Sequence, residues 1–275
     1  MRIDAHQHFW NYDSVRDAWM TDDMGAIKKN FGASDLKPKL DNLSIDGTVL
    51  VQVQQDLQEN VWLLNIARQH SFVKGVVGWI DFTAPDLKQQ LEKLSGEGLL
   101  KGFRHIVQSE KDPEFLNRPQ FLNGVRTLAD FRFTYDVLIY HHQLPMAVKF
   151  AQALDGQPLV LDHIAKPDIR SGNWKSWSDG IKSLALLPHV FCKISGMVTE
   201  ANWLGWKEED FKVYLDVVTE AFGPARMMYG SDWPVCELAG GYDAQYKIVS
   251  NYFSSFSADE QACIFGLNAA RFYKL

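Results

Sequence analysis

Eight short β-rich runs, separated by longer stretches, divide this 275-residue chain from end to end. That rhythm limits its fold more than any other feature. The runs are RIDAHQHF (2–9), DGTVLVQVQ (46–54), VKGVVGWIDF (73–82), KGFRHIVQ (101–108), FRFTYDVLIY (131–140), PLVLDHIA (158–165), VFCKISGMV (190–198) and RMMYGSDW (226–233). Several are rich in Val and Ile with no polar second face, as strands buried on both sides are. The stretches between them carry helical spacing. Leu87, Leu91 and Leu94 share one face behind Thr83 and Asp86, which stand in capping-box register. Phe211, Leu215, Val218 and Phe222 form a stripe that Gly223-Pro224 stops, and Ser257 with Glu260 opens a last helical segment. Strand and helix alternating eight times predict an α/β fold, a parallel sheet closed into a (β/α)8 TIM barrel. No linker or low-complexity stretch interrupts residues 1–275, so one domain is expected.

The composition, 46% hydrophobic and 23% charged, is that of an ordinary globular chain. A net charge of −6 with no basic run argues against nucleic acid and anionic membrane as partners. No apolar run reaches the roughly 18 residues that cross a bilayer, and no secretory signal is visible. The three cysteines, Cys192, Cys236 and Cys263, show no CxxC spacing, which fits reduced thiols and a cytoplasmic location. Monomer and homodimer are equally open at this stage. Residues 10–34 follow the first strand and are expected to lie above the strand ends, as a cover to the site or as a plain surface insertion.

The eight histidines are unevenly placed. His6 and His8 end the first run, His105 lies in the fourth, His141 and His142 follow the fifth, and His163 is near the end of the sixth. In a parallel barrel all carboxyl ends of the strands meet at one mouth. Six histidines would gather there with Asp232, which ends the eighth run. Taken singly, a buried histidine is most often a hydrogen-bonded core residue. His6 and His8 carry more weight, because residues two apart on a strand point to the same side. Asp232 follows an apolar MMY run, where a carboxylate is costly to bury unless its charge is used. Arg104 and His105 are adjacent, so a regular strand turns only one of them inward. His70 and His189 fall outside the pattern and are assigned to the surface.

With the HxH pair and the late aspartate in place, the chain resembles the amidohydrolase superfamily, in the amidohydrolase-2 branch that includes sugar-lactone hydrolases. The motifs that carry the resemblance are DAHQHFW (4–10), GFRHIVQ (102–108), VLDHIAKP (160–167), MYGSDWPV (228–235) and GLNAARFY (266–273). They span essentially the whole chain. The resemblance implies a distorted barrel in which His6, His8, His141 or His142, His163 and Asp232 stand where the superfamily holds one or two divalent metals. Members with two metals add a lysine or glutamate on the fourth strand. GFRHIVQ has neither, so at most one ion, Zn²⁺, is implied, held by His6, His8, His163 and Asp232. Some lactonases of the branch need no metal, which leaves the histidines to meet the substrate carbonyl directly.

The chemistry that follows is hydrolysis. Asp232 is the expected general base, with His6, His8, His163 and His105 as the catalytic imidazoles. Arg104, Gln54, Trp79, His141, Lys166 and Trp233 are the expected substrate contacts. Amides, one or two cations and tryptophan faces suit a neutral, polyhydroxylated ring. A dicarboxylate would call for several arginine clamps. The resemblance points to lactones of 6-deoxy aldonic acids, such as L-fuconolactone or L-rhamnonolactone. The competing expectations are a metal-dependent decarboxylase, another hydrolase of the same branch, and a sugar sensor on an inactive barrel.

Overall fold

A computed structural model describes residues 1–275. Eight strands lie parallel in sequence order: β1 (Ile3–Gln7), β2 (Gly47–Val51), β3 (Val73–Gly78), β4 (Leu100–Ile106), β5 (Thr134–Leu138), β6 (Leu159–Leu161), β7 (Val190–Ile194) and β8 (Met227–Tyr229). The ring closes where β1 meets the segment after β8. The contact there is a single Gln7–Trp233 bridge rather than a full ladder. Outside the sheet lie α1 (Ala33–Asn42), α2 (Leu57–Gln69), α3 (Leu87–Leu94), α4 (Pro119–Phe131), α5 (Leu144–Ala153), α6 (Lys175–Ala185), α7 (Glu208–Phe222) and α8 (Gly241–Tyr252). Two short helices follow, α9 (Ala258–Ala262) and α10 (Asn268–Tyr273). None is long and apolar enough to cross a membrane.

The apolar core divides unevenly. A cluster of 69 buried residues fills the layer between sheet and helices. Only 10 form the inner cluster, among them Ile3, Ala5, Val49, Val51, Val77, Val160 and Met228, packed on Phe272 and Tyr273 of α10. Hydrophobic stabilisation, at roughly 25 cal/mol per Å² buried, therefore comes mainly from the outer layer. The upper axis is left free for polar groups.

Each run read as a strand from the sequence overreaches at its carboxyl end. β6 stops at Leu161 rather than 165, and β8 at Tyr229 rather than 233. The apolar signal continues because the turns above the strands are themselves buried, as Ile80, Ile164, Ala165 and Trp233 show. The expected Thr83–Asp86 capping box does not form. The Thr83 amide and hydroxyl both donate to the Asp81 carboxylate, at 2.8 and 2.7 Å, and α3 starts only at Leu87. The Ser257–Glu260 box does form, at the head of α9.

Candidate active site

The site is built on the closing seam. β1 carries one extra residue relative to β2 between Asp4 and Gln7, and such a bulge re-aims the side chains beyond it. His6 and His8 then meet at their Nε2 atoms, 3.1 Å apart. Across the seam the Asp232 amide donates to the His6 carbonyl at 2.9 Å, and the His8 amide donates to the Trp233 carbonyl at 2.7 Å. These two bonds place the Asp232 Oδ1 3.4 Å from His8 Nε2 and 3.9 Å from His6 Nε2. Gly230 allows this approach, because a Cβ there would fall 2.8 Å from the Cβ of His6.

His163 arrives by a different device. Residues 163–166 all have positive φ, between 46° and 61°, a conformation uncommon outside glycine. The left-handed turn breaks the strand alternation, so Asp162 and His163, though adjacent, both face the site. His163 Nε2 lies 3.8 Å from Asp232, and its Nδ1 is 2.9 Å from the Ser195 hydroxyl. Gly196, at φ 62°, leaves the room the ring needs, since a Cβ would sit 2.7 Å from Nδ1.

Beneath the imidazoles runs a buried chain of charges. Arg104 donates through Nη1 to Asp162 at 3.1 Å, and the same nitrogen lies 3.2 Å from His6 Nε2. Its Nη2 donates to the Gln52 carbonyl and to Gln52 Oε1. Lys193, fully buried on β7, bridges Asp136 and Asp162 at 2.5 and 3.0 Å. Tyr273 of α10 donates to Asp136 from below at 2.7 Å. The Lys193 ammonium also lies 3.1 Å from His6 Nδ1, with Asp162 Oδ1 at 3.3 Å from the same nitrogen, so the ring stands between two cations and a carboxylate.

Burial sets the charge states. It lowers His6 well below the ordinary histidine value, helped by the Lys193 ammonium, and it lowers His8 as well. It brings His163 down to about 3. Burial alone would raise the Asp232 carboxyl, but the surrounding imidazoles outweigh it and hold the group below the usual carboxylate range. Asp232 is therefore an anion facing the cavity.

These donors fit a divalent cation. His8 Nδ1 faces the Val51 carbonyl at 2.8 Å and donates to it, which leaves Nε2 with a lone pair. His6 Nε2 lies 3.1 Å from that lone pair, beside a carboxylate oxygen. Tetrahedral ligands about 2.0–2.1 Å from zinc stand roughly 3.3 Å apart, close to the His6–His8 and His8–Asp232 separations. The outer ring nitrogens are held by carbonyl, carboxylate and hydroxyl, as metal-ligating histidines usually are.

Comparison with known proteins places the chain in a family. The profile of the Amidohydrolase family matches residues 3–275. The chain belongs to that family. An L-fucono-1,5-lactonase of Burkholderia multivorans is 37% identical over 286 residues, spanning 100% of this chain and 96% of the relative. An L-fucono-1,5-lactonase of Burkholderia ambifaria is 34% identical over 280 residues, spanning 100% and 96%. The crystal structure of a Burkholderia multivorans amidohydrolase with bound Zn superposes with a TM-score of 0.96 at 37% identity, over 100% of this chain and 99% of that one. The protein is a lactonase-like hydrolase of this family.

In this amidohydrolase the cavity above the seam measures about 450 Å³. His8, His163, Asp232, Arg104, Gln54 and Lys166 line it, together with Trp10 and Trp19 from the segment after β1. His6 lies just beneath. Residues 10–34 form a packed cover: Met20, Ile27 and Phe31 are buried, and Asp17 accepts from Gln54 at 2.6 Å.

Four residues expected at the site lie elsewhere. His105 turns to the outer face, where its ring stacks on Phe115 and faces Glu110 at 2.8 Å. Trp79 is on that same face and donates to His105 Nδ1. His141 is not among the residues that line the cavity, and its Nδ1 lies 3.0 Å from the Lys166 carbonyl. Trp233 is fully buried between Phe9 and Phe31 and donates to Glu237, so only its backbone serves the seam. Asp162 was not anticipated, because strict alternation beside His163 would point it away. His70 and His189, expected on the surface, are half-buried.

Proposed function

We propose that this hydrolase opens a neutral sugar lactone of the 6-deoxy aldonolactone class, as L-fuconolactone is, by attack of water on the ester carbonyl. The observation that carries the reading is the Asp232 carboxylate, held ionised against the cavity between the Nε2 atoms of His8 and His163. Asp232 takes a proton from water as the water oxygen bonds to the carbonyl carbon. The developing oxyanion meets His163, whose Nε2 carries hydrogen when the Ser195 hydroxyl donates to Nδ1. The ring C–O bond then breaks, and the proton on Asp232 passes to the departing alkoxide. His8 presents a lone pair rather than an N–H, so its part is to accept a hydrogen from the water held beside Asp232. A divalent ion held by His6, His8, His163 and Asp232 supplies Lewis-acid polarisation of the carbonyl when bound.

The substrate class follows from the lining. Trp10 and Trp19 offer flat apolar faces, Gln54 an amide and Lys166 a single ammonium. A dianion would require free bidentate arginines, whereas the Arg104 guanidinium is held within the protein by Asp162 and Gln52. The two relatives named for L-fucono-1,5-lactone favour the same class. The test is proton release from a panel of aldonolactones, with and without chelator. Turnover of L-fuconolactone or a close stereoisomer is expected. Carbon dioxide release from an aromatic acid, with no lactone opened, would sink the reading.

A further inference from the structure

Asp4 opens the DAHQHFW motif, yet it does not line the cavity. It is fully buried beneath α8, where its Oδ2 accepts the Tyr242 hydroxyl at 2.9 Å. Its Oδ1 accepts two amides, that of His6 at 3.1 Å and that of Ser231 at 2.9 Å. One oxygen atom thus ties the residue that carries the first imidazole to the residue that precedes the carboxylate base. The His6 amide lies within the bulge between Asp4 and Gln7, so the same bond holds that bulge in shape. Ser231 extends the tie: its Oγ accepts the Trp233 amide at 3.0 Å and donates to the His6 carbonyl at 3.3 Å. Asp232, between them, has a φ of 56°. A residue with a side chain keeps that conformation only where its surroundings impose it. The seam offers a single bridge, so these side-chain bonds do there what a ladder does elsewhere in the barrel.

We propose that Asp4 is a positioning residue of the hydrolysis, acting through the His6 and Ser231 amides to hold the Asp232 carboxylate 3.4 Å from His8 and 3.9 Å from His6. It touches no substrate. A displacement of about 1 Å in a reacting group can cost about a hundredfold in rate. Without Asp4 the seam is left with its backbone bonds and the Ser231 hydroxyl. The tie needs an acceptor at Oδ1 rather than a charge. Asparagine keeps that acceptor, and its amide nitrogen can donate to the Tyr242 oxygen. Alanine keeps neither. Holding the seam requires no substrate; the effect on rate rests on the lactonase reading, with Asp232 as base.

The experiment follows the parent, Asp4→Ala and Asp4→Asn proteins by amide hydrogen exchange and by lactone turnover. In Asp4→Ala the Asp232 and His8 amides, which cross the seam, are expected to exchange about tenfold faster or more, while those of β4 and β5 keep the parent rate. On the accepted lactone kcat is expected to fall about a hundredfold with KM within about threefold, because the base is displaced and the lining is not. Asp4→Asn is expected to restore both exchange and kcat to within about threefold of the parent. Unchanged seam amides in a folded Asp4→Ala protein overturn the proposal. A uniform rise in exchange across the barrel, as a merely structural residue gives, overturns it too, and so does an Asp4→Asn protein as impaired as Asp4→Ala. Should Asp4→Ala fail to fold, Ser231→Ala removes the Trp233 and His6 bonds of the same tie. It is expected to speed the seam amides and to lower kcat several-fold at constant KM; no change there overturns the proposal equally. Faster seam amides with an unchanged kcat remove the effect on rate alone. A parent that opens no lactone would instead remove the functional reading and leave the exchange result standing.

Discussion

Two neighbouring residues of β4 end in opposite surroundings. Arg104 points to the barrel axis, among Asp162, Gln52 and His6, where every charge has a counter-charge or a carbonyl within hydrogen-bond reach. His105 points outward into a shell of rings, stacked on Phe115 at 4.9 Å and edge-on to Phe121. β5 repeats the division: Asp136 faces Lys193 inside, and Tyr135 packs on Phe82 and Phe150 outside. A histidine near the mouth is thus chemical or structural according to the parity of its position on the pleat. Residue type and height along the strand do not decide it. The axis is a place of paired charge, and the shell is a place of packing.

Four measurements would break or sharpen that contrast. The largest effect is expected at the mouth of the axis. Asp232→Asn should lower kcat on the accepted lactone by about 10³-fold while leaving the thermal midpoint within a few degrees. Next comes Lys193→Met, which strands Asp136 and Asp162 in the interior. Removing one partner of a buried ion network costs about 3–5 kcal/mol, and chemical denaturation should show a loss of that size. On the shell side, His105→Ala should cost roughly 2 kcal/mol of stability with kcat unchanged. A collapse of kcat in this folded variant would mean that the two faces are coupled, and the contrast fails.

The smallest effect concerns Glu59, which belongs to neither region. Its carboxylate accepts the amides of Val53 and Gln54 at the rim. Burial raises its pKa from 4.5 to about 7, against the lowering effect of those two amides. The folded chain keeps a proton between pH 4.5 and about 7 that the unfolded chain has released. Stability from this group is therefore full below pH 4.5 and declines as pH rises through that window. Glu59→Gln should flatten the slope of unfolding free energy against pH by about 1 kcal/mol per unit.

Much of this architecture was legible in the sequence because parallel strands buried on both faces leave long apolar runs. The same property blurred their ends. Ile164 and Trp233 are as apolar and as buried as the strand residues before them, so periodicity gave no sign that the chain had left the sheet. The His6–His8 pair was readable from alternation alone. Asp162 was not, because a left-handed turn suspends alternation over four residues, and nothing in LDHIAK announces it. Arg104 and His105 show the limit from the other side. Parity said that one faces inward but could not say which, since both residue types suit a polar mouth and both find partners on the wrong face.

The closing seam has a consequence for how such a catalyst fails. His6 and Asp232 come from opposite ends of the fold and are registered by the single Gln7–Trp233 bridge, the two amide bonds and the bonds from Ser231 to Asp4 and the His6 carbonyl, while every other strand pair shares a longer ladder. Local opening is easiest where the ladder is shortest. Mild warming or dilute urea should then silence turnover while the circular dichroism of the barrel is still intact, because parting one stitch separates the acid from the rings it works beside.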